Sequence, residues 1–180
     1  MKNLYLAFLA LACQATGVLL VDPDDFGDVP RRALIMAGYL LAIAFVWKNR
    51  SSLGTLVLGV GLLLNLVVMV ANGGLMPVTA ARVAQAGLSH RIAGVEAGHG
   101  IPGTKNVLVQ PGSARLEMLS DVVVLPRGLP SQRVVSPGDV IVVLGLSTLF
   151  VSAAVKTARR RVRVPPSPPK AARNDACLIE

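Results

Sequence analysis

Charge is the scarcest ingredient of this sequence. Charged residues make up 16% of its 180 positions and aromatics 4%, where soluble globular domains carry about 25% charged residues. With 53% hydrophobic residues and a mean hydropathy of +0.60, the chain holds more apolar surface than a core of its own could solvate, which excludes an ordinary soluble domain. Cysteine is nearly absent as well. Cys13 lies inside the first apolar run and Cys177 on a polar tail, so a disulfide framework cannot organise the fold. Neither cysteine has His or Cys neighbours at the short spacing that zinc needs.

The motifs of common chemistry are missing too. There is no nucleophile elbow, no HExxH and no glycine-rich phosphate loop. Hydrolytic chemistry would have to draw on His90, His99, Glu117, Ser120 and Asp121, and two loop histidines this far apart read as solvated side chains. No Asp, Glu, Lys, Arg or His falls in the interior of an apolar run, and such groups mark proton relays and ion paths. The second half shows no inverted repeat of the first, which also counts against a transporter.

What the sequence does contain is apolar runs. Residues 4–21 are long enough, at about 1.5 Å per residue, to cross most of a hydrocarbon core of about 30 Å. A cleaved signal or lipoprotein site is the rival reading, but Ala10 and Leu11 ahead of Cys13 match the processing pattern poorly. Residues 33–47 form a second, shorter run, which Arg31, Arg32 and Lys48 extend by reaching for the interface, with Trp47 at belt depth. A tight Lys-Asn-Arg-Ser-Ser hairpin leads to the third run, 53–71, and places these two helices as antiparallel neighbours. The fourth, 140–155, opens at Ser136-Pro-Gly-Asp139: Ser136 as N-cap, Pro137 at the first helical position, Asp139 three residues after the cap. The expectation is an all-α membrane protein of four transmembrane helices.

Between the runs, Asp22, Asp24, Asp25 and Asp28 invite a calcium reading. The glycine and glutamate of an EF-hand loop are missing, so the segment reads as a solvated acidic turn. Residues 72–139 form the one long loop, expected to be mostly irregular, with a short helix near 77–88, one helical turn near 115–119 and a β-branched run at 121–126. Residues 156–180 are basic and proline-rich and read as a disordered tail.

On the third run, Gly54, Leu58, Gly61, Asn65, Met69 and Asn72 fall on one helical face. Two glycines and two amides there read as a helix-packing seam, with a polar substrate path as the alternative. Orientation follows from the cations: Lys2, Lys48, Arg50 and seven tail residues share one side with only Asp175 and Glu180, so that side carries the whole formal charge of +8. By the positive-inside rule both termini are cytoplasmic and residues 72–139 extracytoplasmic. A basic segment that directly follows a span points to anionic lipid headgroups and not to nucleic acid.

Asn72-Gly-Gly-Leu-Met-Pro-Val78, Leu119-Ser-Asp-Val-Val-Val-Leu-Pro126 and Ser136-Pro-Gly-Asp-Val140 together resemble an uncharacterised family of small bacterial integral membrane proteins, known only as a domain of unknown function. The likeness covers most of residues 1–155 and departs at Pro137, where the family pattern has isoleucine. It implies a bacterial cytoplasmic membrane and supplies no activity. The resulting expectation is a non-enzymatic membrane component with no cofactor or metal, in contact with lipid and with a membrane-protein partner or a second copy. A transporter subunit and an envelope-directed enzyme are the alternatives. The residues expected to form its structural or docking motif are Asn65, Asn72, Gly73, Gly74, Met76, Pro77, Asp121, Pro126, Ser136, Gly138 and Asp139.

Overall fold

The helices follow the apolar runs, with boundaries set by their caps. The computed structural model of the chain describes residues 3–21, 28–125 and 134–163, with side chains as far as 159. Its helices are α1 (Leu4–Leu19), α2 (Val29–Lys48), α3 (Leu53–Ala71), the short α4 (Ala80–Gln85) and α5 (Pro137–Arg163). Three stretches, Val29–Lys48, Leu53–Ala71 and Pro137–Arg159, are long and apolar enough to cross a membrane, and α1 is apolar but shorter. Phe8, Trp47, Val70 and Phe150 stand exposed on these helices, an arrangement that water would penalise.

Three boundaries differ from the sequence reading, one of them in the short helix expected near 77–88, which forms over Ala80–Gln85 because Met76–Thr79 pair as a strand. Helix α2 starts at Val29 and not at residue 33, because Asp28 occupies the N-cap with Pro30 in the first turn. Helix α5 runs from Pro137 to Arg163, so residues 156–163, read from composition as disordered tail, continue the helix. Lys and Arg are good helix formers, and proline, the residue that would break the helix, first appears after 163. Asp22, Asp24, Asp25, Pro126, Cys177 and the tail beyond 163 lie outside the described residues.

Helix α1 packs along α2, and α3 lies between α2 and α5, with its broadest contact on α5. That contact is made by glycines. A Cβ on Gly61 would meet the Gly138 carbonyl oxygen at 2.6 Å and the Val142 amide at 2.7 Å, and one on Gly54 would meet the Leu149 amide at 2.9 Å. The seam read on α3 is therefore where α5 sits, with Gly138 and Gly145 facing it. The same pairing sets the depth of α5. It begins beside Asn65, seven residues short of the α3 C-cap Asn72, a drop of about 10 Å along the helix.

The polypeptide between α3 and α5 is more ordered than an irregular loop. Strand β1 (Met76–Thr79) pairs in parallel with β2 (Asn106–Val109), Met76 opposite Asn106. β3 (Val123–Val124) pairs antiparallel with β4 (Val134–Val135). The protein is therefore not all-α. Its helices carry a small mixed lobe with its own core of Val78, Val83, Ile101 and Leu108. Leu75, Met76 and Val107 join the main core with Ile35, Val68 and Met69 of the helices, so the lobe is continuous with the bundle.

Candidate functional site

The start of α5 supplies the centre of the site. Ser136 Oγ accepts the Asp139 backbone N–H at 2.9 Å, and Asp139 Oδ2 accepts the Ser136 N–H at 3.3 Å, a reciprocal capping box. Ser136 Oγ in turn donates to Asn65 Oδ1 at 2.7 Å, while Asn65 Nδ2 donates to Asp139 Oδ1 at 2.7 Å and reaches the Tyr39 hydroxyl at 3.5 Å. One buried amide thus joins α2, α3 and α5. Gly138 makes this possible: a Cβ there would overlap Asn65 Oδ1.

The lobe reaches down to the same point. Lys105, just before β2, places Nζ 2.8 Å from both carboxylate oxygens of Asp139. Asn106 Nδ2 donates to Asp121 Oδ2 at 2.6 Å, and the Asp121 N–H donates to the Pro77 carbonyl at 3.3 Å. Asp121 is 2% exposed, and among the described residues its Oδ1 has no hydrogen-bond partner. Burial pushes its carboxyl up to about 6, against the pull of Lys105 and the Asn106 bond in the opposite direction. Burial would lower Lys105, but Tyr39, Asp139 and Asp121 around it outweigh that and hold its ammonium above the usual lysine range. A lysine held protonated in this way is a fixed charge and not a base.

A second set of bonds ties the lobe to the helix ends. Gly74 N–H donates to Met69 O at 2.7 Å and Gly73 N–H to Val70 O at 3.4 Å, with φ of +78° and +99° at Gly73 and Gly74. This is a Schellman closure of α3. Asn72 Nδ2 caps Val68 O at 2.8 Å and also donates to Arg115 O at 2.8 Å while Asn72 Oδ1 accepts the Arg115 N–H. Met76 and Pro77 are buried in β1.

Asp28, the one aspartate of the acidic turn among the described residues, is not a solvated side chain: it is buried and accepts Arg31 Nη1 at 3.2 Å, Arg32 Nη2 at 3.4 Å and the Gly100 N–H at 3.0 Å. Arg31, fully buried, donates to the carbonyls of Ile101 and Thr104, and Arg32 donates to Gly73 O at 2.6 Å. Arg31 is therefore spent on the lobe and Arg32 on the α3 exit. With Asp139 they place ionisable groups in the first turns of α2 and α5, each with a partner of opposite charge.

Of the motif residues expected from the sequence, the structure brings Asn65, Ser136, Gly138 and Asp139 into one cluster, with Pro77 and Asp121 joined above it and Asn72 to Gly74 at the α3 exit. Pro126 lies outside the described residues. Lys105, Asn106, Tyr39, Asp28 and Arg31 were missed. The one local signal was Asn-Val-Leu-Val at 106–109, a short β-prone run preceded by a lone lysine. Of the residues considered for hydrolysis, Glu117, Ser120 and Asp121 line one small pocket with Pro77 and Arg82, where Ser120 Oγ donates to Glu117 O at 2.5 Å, whereas His90 and His99 are exposed and outside that lining. Among the described residues no three His, Cys, Asp or Glu side chains converge as a metal site would require.

Neither a curated protein nor a solved structure matches the chain. A family of unknown function (DUF5317) matches residues 1–151, which takes in α1 to α4, the lobe, the first part of α5 and every residue of the cluster, and the chain belongs to that family.

Proposed function

We propose that the protein is a non-catalytic, multi-pass component of the bacterial cytoplasmic membrane, in which α1, α2, α3 and α5 all cross the bilayer. The lobe is a rigid outer platform for a membrane-protein partner. Both termini are cytoplasmic, and the basic end of α5 meets anionic headgroups. The observation that carries this reading is the use made of the polar motif residues. Asn65 and Ser136 spend their hydrogen-bonding groups on joining α3 to the start of α5, and Asn72 and Asp139 on joining the helices to the segment between them. Amides and a capping serine engaged in this way support a structural role over a polar path.

The test is a set of purified variants reconstituted in proteoliposomes. Asn65→Leu and Lys105→Met should lower thermal stability and weaken co-purification of any native-membrane partner. His90→Ala and His99→Ala should leave both unchanged. Solute flux that disappears on Asn65→Leu in a protein that is still folded would replace this reading with a transporter, and turnover lost in the histidine variants would replace it with an enzyme.

A further inference from the structure

We infer that Leu116 and Met118 form an interfacial anchor that inserts into the phospholipid leaflet at the α3 exit, a lipid contact separate from the helices and from the basic end of α5. The inference rests on the reading of α3 as a membrane span.

Depth comes first. Arg115 is fixed at the C-cap of α3 by two hydrogen bonds to one side chain, Asn72 Nδ2 to Arg115 O and Arg115 N to Asn72 Oδ1, both 2.8 Å. The chain that follows is therefore pinned where α3 leaves the apolar layer. It is also rigid. The Leu119 N–H donates to Leu116 O at 2.9 Å and closes a 3-10 turn over Glu117–Leu119, while the Leu119 side chain packs against the main core.

What this turn displays is then notable for its chemistry. Met118 is 85% exposed and Leu116 47%, two large apolar side chains at the boundary depth, with the exposed cation of Arg115 beside them. Leu116 adopts φ +57°, a left-handed conformation that non-glycine residues hold only where the surroundings impose it. The same boundary carries Val70 in the last turn of α3 and Val29 in the first turn of α2, both exposed. The turn thus shares this end of the helices with other exposed apolar side chains. Apolar side chains with a neighbouring cation fit the acyl boundary beneath a phosphate layer. Glu117, exposed on the same turn, offsets the charge of Arg115, so the apolar pair supplies the attraction.

The test uses a single-cysteine series in a Cys13→Ala, Cys177→Ser background: Met118→Cys, Ser113→Cys and Phe150→Cys. Each is labelled with the environment-sensitive fluorophore NBD and reconstituted in phosphatidylcholine vesicles with or without nitroxide-labelled acyl chains. Label at 118 should emit to the blue of label at 113 and be quenched at least about threefold more strongly by shallow nitroxides. Quenching at 118 no greater than at 113 overturns the inference. A blue shift at 118 without nitroxide quenching also overturns it and assigns the pair to a protein contact. Position 150 separates the two readings, since quenching there together with none at 118 sinks only the anchor, whereas no quenching at 150 sinks the membrane-span reading itself.

Discussion

Asn65 shows how one side chain can be read in a sequence and still surprise in its use. An amide in the most apolar run had to find partners, because an unsatisfied polar group away from water costs about 1–3 kcal/mol. The helical face it shares with Gly61 and Asn72 was legible from spacing alone. Its partners were not, because Ser136 and Asp139 lie more than seventy residues away in the chain. Asn65→Leu is expected to lose about 1–3 kcal/mol in detergent unfolding, since it strands the Ser136 hydroxyl and removes a donor from Asp139. Asp121 gives a pH-dependent counterpart. Its folded-state value of about 6 lies above its ordinary 3.8, so the native state binds this proton more tightly than the unfolded chain does. The contribution of Asp121 therefore favours folding below about pH 4 and is lost as pH rises through 6. Asp121→Asn keeps the oxygen that Asn106 bonds. It should match or exceed the parent protein in melting temperature at pH 7 and flatten the slope between pH 4 and 6.

At the level of elements, local rules located the four long helices and the capping box at Ser136, but not the start of α2 or the continuation of α5 through 163. Apolar length, an N-cap serine and a proline at the first position are all short-range signals. The strands were hidden for the opposite reason. β1 and β2 are four residues each, and their parallel pairing depends on a crossover through α4 that no local pattern announces. Lys105 was overlooked with them, because a lone lysine in a polar section reads as solvated until a strand carries it down to Asp139. The α3–α5 contact allows a direct check. Gly138→Ala puts a methyl group into Asn65 and within 2.9 Å of the Gly61 carbonyl oxygen, and overpacking of this kind costs about 1–3 kcal/mol. Ala154→Leu, on the exposed part of α5, is the matched control and should leave the unfolding midpoint where it was.

For the whole molecule, composition and charge pointed to a membrane and to an orientation. The coupling between lobe and helices appears only in three dimensions, as three sets of bonds: Lys105 to Asp139, Arg31 and Asp28 to the 100–104 segment, and Asn72 to Arg115. Orientation is checked by impermeant thiol labelling of intact cells. A cysteine replacing Thr104 is expected to react, and Cys177 only after permeabilisation; the reverse pattern would invert the protein. The central claim is that the polar cluster latches the lobe to the bundle as one cooperative unit, and amide hydrogen exchange in nanodiscs tests it most directly. In Lys105→Met, exchange should accelerate together in β1, in β2 and in the first turns of α5, by about tenfold for each 1.4 kcal/mol of coupling lost. Acceleration confined to residues next to 105, with β1 and the start of α5 as protected as before, would contradict the account.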